Sequence, residues 1–106
     1  MDAAEHVRVF NDAVTSGRWQ PFIDTFAEDA ELEFVGVSAG PFIGRKAIAR
    51  AYRENPPDDT ITIDGHPGRD CDTIVVPYRW NRTNEKGTIR LTYEGGLIRK
   101  LVITFG

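Results

Sequence analysis

A chain of 106 residues that is 41% hydrophobic and 27% charged has the balance of an ordinary folded protein, and its length allows one packed core but not two. A net charge of −3, with Lys and Arg scattered among acids, offers no basic field for a phosphate backbone and argues against nucleic acid as a partner. The lone Cys71 excludes an intrachain disulfide and reads as a reduced thiol, and no Cys/His set has metal-site spacing, so neither metal nor cofactor is expected.

From Ala3 to Thr15, the residues Ala3, Val7, Phe10 and Val14 recur every three or four positions, which predicts an amphipathic helix ended by Gly17. This acidic start is unlike a basic leader, and no apolar run approaches the roughly 20 residues that cross a bilayer, so no membrane contact and a cytoplasmic location are expected. A second helix is predicted from Arg18 to Ala27, with Pro21 in its first turn and Trp19, Phe22, Ile23 and Phe26 as one stripe. Ala30 to Val35 alternates polar and apolar and reads as a strand. After a Gly/Ser/Pro loop, Gly44 and Arg45 open a third helix carrying Ala47, Ile48, Ala51 and Tyr52, which stops before Pro56-Pro57.

Everything beyond that point reads as sheet. Thr60 to Asp64 places Ile61 and Ile63 on one face, and Gly65 to Arg69 turns the chain. Thr73 to Asn81 sets Ile74, Val76, Tyr78 and Trp80 against Thr73, Val75, Pro77 and Arg79; Thr88 to Tyr93 sets Ile89, Leu91 and Tyr93 against Thr88, Arg90 and Thr92. Gly95-Gly96 closes a hairpin into a last strand, Ile98 to Phe105, whose Leu101, Ile103 and Phe105 face one way. Helices followed by a run of antiparallel strands predict an α+β fold, one domain over 1–106, with helices on one sheet face. The other face is polar and is either solvated or the contact surface of a homodimer, with Arg79 and Arg90 upon it.

The order of elements, the segment Phe26-Ala27-Glu28-Asp29-Ala30 entering a strand, Gly44-Arg45-Lys46-Ala47-Ile48 opening the third helix, and Gly96-Leu97-Ile98 at the last hairpin together resemble the nuclear transport factor two-like superfamily. That superfamily includes ketosteroid isomerases, SnoaL-like polyketide cyclases, limonene epoxide hydrolases and scytalone dehydratases. The resemblance implies a cone-shaped fold, with three N-terminal helices packed on a curved, mostly antiparallel sheet around a cavity. It places Phe34 where ketosteroid isomerases carry their aspartate base, Phe10 where they carry an oxyanion-hole tyrosine, and Ile89 near their second acid. A one-residue shift of register would turn Glu33 inward instead of Phe34. Tyr52 matches a pocket tyrosine of those enzymes, whereas the Asp-Arg-Asp set of the epoxide hydrolases has no inward-facing counterpart.

The expected substrate-binding surface is therefore Phe10, Trp19, Phe26, Phe34, Ile63, Val76, Trp80, Ile89, Leu91, Leu101 and Phe105, with Ile74 on the same inner face. Tyr52 and Tyr78 are the expected catalytic or orienting groups, although a buried tyrosine also commonly satisfies a backbone carbonyl. His6 would reach the cavity mouth as a proton acceptor or, as expected, sit solvated at the helix edge; His66 belongs to a surface turn. Asp24, Asp70 and Asp72 would serve as bases if the turn folded over the pocket, but Asp24 is expected on an exposed helix face and Asp70 and Asp72 in a turn; Glu28 and Asp29 are expected at a helix end where Arg45 would be a partner. The resemblance implies a protein that takes a small hydrophobic molecule, polyketide- or steroid-like, as an isomerase, cyclase or dehydratase. The alternative is a non-catalytic binding or dimerising module.

Overall fold

The first helix, α1 (Ala3–Ser16), begins where the Asp2 carboxylate accepts the Glu5 N–H at 2.9 Å and ends at Gly17, whose φ of 74° is the left-handed turn that glycine enters without strain. These details come from a computed structural model that describes residues 2–105. Ala3, His6, Val7, Phe10 and Ala13 form the buried stripe of α1, each three or four residues from another member.

The second helix, α2 (Gln20–Ile23), is much shorter than its periodicity predicts, because Phe26 already belongs to β1 (Phe26–Val35). The Thr25 hydroxyl donates to the Phe22 carbonyl at 2.6 Å, closing the helical turn, while the Ile98 N–H takes the Thr25 carbonyl at 2.8 Å. Pairing with the last strand thus outcompetes the helix. The stripe of Trp19, Phe22, Ile23 and Phe26 is still buried throughout, so the spacing is right about burial and wrong about conformation.

Strand β1 continues past an irregularity between Phe26 and Glu31, where Glu28 and Asp29 are exposed on strand rather than at a helix end. Arg45 meets neither of them closely and instead donates to the Phe26 carbonyl at 3.4 Å. A short β2 (Phe42–Ile43) pairs with β1, and α3 (Arg45–Glu54) follows, burying Ile48, Ala49 and Tyr52. Asn55 caps it ahead of Pro56-Pro57.

The remaining strands are β3 (Ile61–Ile63), β4 (Gly68–Asp70), β5 (Thr73–Trp80), β6 (Lys86–Glu94) and β7 (Leu97–Phe105). Strand β4 lies where the sequence suggests only a turn; three residues suffice because Gly68, Arg69 and Asp70 pair with Val75, Ile74 and Thr73. The seven-stranded sheet runs β2-β1-β7-β6-β5-β3, with β4 also on β5. Only β1 and β7 are parallel, which makes this the mostly antiparallel α+β cone expected from the sequence.

Gly95 and Gly96, at φ of 61° and 83°, make the two-residue turn between β6 and β7. One residue later, Tyr93 pairs with Ile98 while Thr92 pairs with Lys100, leaving Arg99 as the extra residue of a bulge. The bulge reverses side-chain parity, so Ile98 and Leu101 are both fully buried although three positions apart.

Candidate functional site

The inner sheet face is filled unevenly. At the end holding Ile74, Leu91, Ile98 and Phe26, side chains meet the helices directly, and Phe26, Leu91 and Ile98 are fully buried. At the opposite end, where β5 finishes, β6 starts and β7 finishes, a cavity of about 300 Å³ remains. Its floor is Tyr78, Trp80, Ile89, Leu101, Ile103 and Phe105, with Phe34 from β1 at one side. Phe10, Phe22 and Tyr52 close it from the helices; Val37, Ala39, Asn55 and Pro57 make the rim. A side pocket of about 160 Å³ shares Phe34, Ala39, Tyr52, Asn55 and Pro57 with it and reaches Phe42.

Glycine accounts for the position of Tyr78. Gly87 is its cross-strand partner, and a Cβ there would stand 2.7 Å from the tyrosine ring and 2.2 Å from the Thr104 carbonyl oxygen. The ring therefore lies across the bare backbone, and its hydroxyl donates to Thr104 O over a long 3.4 Å. Trp80 stands edge-on to Tyr78 at 5.7 Å and is stacked on Phe105 at 6.4 Å, which continues the aromatic wall.

Tyr52 stacks on Trp19 with centroids 5.0 Å apart, and its buried hydroxyl has no hydrogen-bond partner among the described residues. Such an orphan is uncommon, since buried polar groups are nearly always paired with protein or water. Burial, with a lesser contribution from the Tyr78 phenol, holds Tyr52 above the ordinary tyrosine range, so it stays a donor at any physiological pH. Tyr78 is raised too, chiefly by burial, with the Trp80 side chain acting against it. The Tyr93 hydroxyl is likewise buried without a described partner, but it lies at the packed end beside Ile98 and does not border the cavity.

Of the expected binding residues, Phe10, Phe34, Trp80, Ile89, Leu101 and Phe105 line the cavity, as do Tyr52 and Tyr78. Trp19, Phe26, Ile63, Val76 and Leu91 do not. Trp19 backs Tyr52 from behind; Phe26, Val76 and Leu91 are fully buried in the packed end; Ile63 borders shallow outer grooves beside α1. Inward parity places a residue on the right face without saying which stretch of that face the helices cover.

His6 corrects the expectation of a solvated edge residue: it is 3% exposed, lines the cavity, and packs 5.7 Å from the Phe22 ring. Burial alone draws its imidazole down from 6.5 to about 4. The signal was present in the sequence, because His6 follows Ala3 by three residues and precedes Phe10 by four, on the apolar stripe. Phe22, Val37, Ala39, Asn55, Pro57, Ile61 and Ile103 also line the cavity and were not singled out.

Glu33 pairs with Val102 on the outer face, while Phe34 faces the cavity, so the alternative register is not adopted. Asp24 is exposed and accepts the Gln20 amide at 2.7 Å; Asp70 holds Arg90 at 3.0 Å; Asp72 and His66 are exposed. Arg79 lies 3.4 Å from the Asn81 side-chain oxygen, outside the cavity. No Asp, Glu, Lys or Arg lines the cavity, and no cluster of metal-ligating residues occurs among the described residues. No helix is long and apolar enough to cross a membrane.

The SnoaL-like domain family is matched over residues 7–100. The chain belongs to this family. No curated protein matches its sequence. Among solved structures, this SnoaL-like domain resembles an NTF2-like protein from Anabaena variabilis at 18% identity, with a TM-score of 0.77 over 98% of this chain and 86% of that one. It also resembles a proposed ketosteroid isomerase from Kribbella flavida, at 21% identity and TM-score 0.72 over 96% and 76% of the two chains. A proposed polyketide cyclase from Sinorhizobium meliloti superimposes at 21% identity and TM-score 0.70 over 93% of each chain. These likenesses establish the nuclear transport factor two-like fold. Phe34, Phe10 and Ile89, at the positions where the sequence resemblance locates the isomerase base and oxyanion donors, border the cavity as hydrocarbon.

Proposed function

We propose that this SnoaL-like domain takes up a small, uncharged, hydrophobic organic molecule in the cavity between α3 and the open end of the sheet. The reading rests on one observation: an apolar cavity of about 300 Å³ beside a buried Tyr52 hydroxyl that lacks a partner. Small-ligand sites span roughly 300 to 1,000 Å³ and pair apolar walls with a few polar groups, so this one lies at the small end of that range. A one- or two-ring molecule suits that volume better than a four-ring steroid.

Tyr52 orients the ligand by donating to its oxygen, because burial keeps the phenol protonated and it has no described partner; Tyr78 joins it only by releasing its long bond to Thr104 O. In an isomerase, cyclase or dehydratase the same two groups act as acids or electrophiles; a carboxylate base of the isomerase kind has no counterpart among the lining residues. The outer sheet face carries Val75, Pro77 and Val102 half-buried between Arg90 and Lys100, which supports a homodimer formed through that face.

Titration with single-ring and fused two-ring ketones and phenols tests the binding, followed by the fluorescence of Trp80 and by thermal shift. Saturable binding that weakens several-fold in Tyr52→Phe is the expected result. Absence of any saturable signal across the panel would remove the proposal, and conversion of a bound probe would place the protein among the enzymes.

A further inference from the structure

The cavity contains one group that this reading leaves unused. His6 reaches it from α1, is almost wholly buried, and has no hydrogen bond to its imidazole from any described residue. Its surroundings are hydrocarbon: Phe22 stands 5.7 Å away on α2, and Phe10 lies one turn further along α1. On its own helix, Glu5 is turned outward to Arg8 and Asp2 caps the helix through Glu5; among the lining residues the only other ionisable groups are the Tyr52 and Tyr78 phenols. No charge of the described residues therefore faces the ring.

A neutral imidazole always carries one bare nitrogen, a better acceptor than a phenol oxygen. Neither ring nitrogen is among the sealed, unpartnered polar atoms that the Tyr52 hydroxyl exemplifies, which fits a nitrogen open to the cavity, and phenylalanine would fill the same stripe without placing a polar atom there. The other lining groups of comparable polarity are phenols, held as donors, and Asn55, which is exposed at the rim. The cavity thus offers donors on one side and one basic acceptor on another.

We infer that His6 is a specificity residue that accepts a hydrogen bond from a ligand hydroxyl, so that the cavity selects compact, uncharged alcohols, phenols or enols over their ethers and over carboxylates. The inference rests on the ligand-binding reading above and narrows its chemistry. Ethers are disfavoured because they leave the imidazole nitrogen unpaired. Carboxylates are disfavoured because no cation of the described residues lines the cavity to repay their loss of water.

Three probes of one shape separate the possibilities: 4-tert-butylphenol, its methyl ether and 4-tert-butylbenzoate, titrated calorimetrically at pH 7 into the natural protein and into His6→Phe. The phenol should bind about tenfold more tightly than the ether, which is what one buried hydrogen bond supplies. In His6→Phe that preference should vanish, the phenol losing its acceptor and the ether no longer leaving a nitrogen unpaired. The benzoate should bind at least tenfold more weakly than the phenol. Equal affinities in the natural protein, a preference that survives in His6→Phe, or tight benzoate binding would each overturn the inference and leave the cavity as a ligand site. Binding of none of the three, nor of the ketone panel, would remove the cavity reading and this inference together. Should His6→Phe fail to fold, imidazole 15N shifts of the natural protein decide: the phenol must move the His6 ring nitrogens and leave exposed His66 alone, and unmoved His6 signals under saturating phenol would sink the idea.

Discussion

The two ends of the inner sheet face use the same alternating pattern for opposite purposes. At the packed end, Ile74, Leu91 and Ile98 are aliphatic and the helices close directly upon them. At the cavity end, the same parity places Tyr78, Trp80, Phe105 and Phe34, rings whose mutual contacts of 5.7 to 6.4 Å brace a wall without filling the space before it. Aliphatic side chains interdigitate and leave few voids, whereas the cavity-end rings brace one another in a row, Tyr78 edge-on to Trp80, Trp80 stacked on Phe105 and Phe105 tilted against Phe34, and so line a void. Stability resides mainly in one end, and the capacity for binding in the other.

This division predicts unequal costs of truncation. Phe26→Ala, in the packed end, should lose about 3–5 kcal/mol, because a fully buried ring leaves a hole that the surrounding β1, β7 and α2 cannot collapse into. Phe105→Ala, half-buried and already bordering a cavity, should lose roughly 1 kcal/mol by the same transfer reasoning with little added cavity penalty. Urea unfolding of the two variants measures the difference directly; comparable losses would mean that the cavity wall carries as much of the fold as the core.

The next largest effect is pH-dependent and belongs to the cavity end. His6 has a folded value of about 4 against an unfolded 6.5, so as pH falls through that interval the unfolded chain takes up a proton that the folded chain refuses. Stability is full above 6.5 and declines by ~3 kcal/mol as pH drops to about 4, below which this group contributes no further change. In His6→Phe the corresponding part of the pH-stability curve should flatten. A natural protein whose denaturation midpoint stays level across the interval would show that the ring is hydrated rather than sealed.

Most of the fold was legible because period and punctuation agree with packing. The α1 stripe, the αL glycine after it, the Gly95-Gly96 hairpin and the parity of β5 and β6 all follow from local rules that tertiary contacts reinforce. Failures occurred where a long-range partner decides. The helix predicted through Ala27 yields to β7 at Phe26, β4 exists only because β5 offers it an edge, and the Arg99 bulge redirects Ile98. The candidate site was half legible for a related reason. Facing inward is a property of one strand, but bordering a void depends on where α1 and α2 end, so Leu91 and Val76 were expected in the site while Val37 and Pro57 were not. His6 was misjudged by residue type, although its spacing placed it inside.

A smaller effect tests how Tyr78 is held. Gly87→Ala would drive a methyl group against the Thr104 carbonyl, which is backbone and cannot swing aside, and against the Tyr78 ring, which can. The variant should lose about 2 kcal/mol from overpacking and should turn Tyr78 into the cavity, reducing the affinity for every probe. Unchanged affinity together with lowered stability would separate the glycine's structural role from any part in positioning the phenol.

The smallest expected change is also the one whose sign discriminates best. Tyr52→Phe removes a buried hydroxyl that has no described partner and keeps the ring that stacks on Trp19 and meets Phe22 at 5.1 Å. Deleting an unsatisfied donor relieves its desolvation penalty, so the ligand-free protein should gain about 1 kcal/mol by thermal or urea unfolding. The same variant should bind ketone probes several-fold more weakly, because the donor absent from its cavity is the one a carbonyl oxygen would meet. A gain in stability coupled to a loss of affinity is the signature of a group retained for its ligand rather than for the fold. If instead Tyr52→Phe loses stability, the hydroxyl already has a partner in solution, such as a bound water, and the orienting role passes to Tyr78.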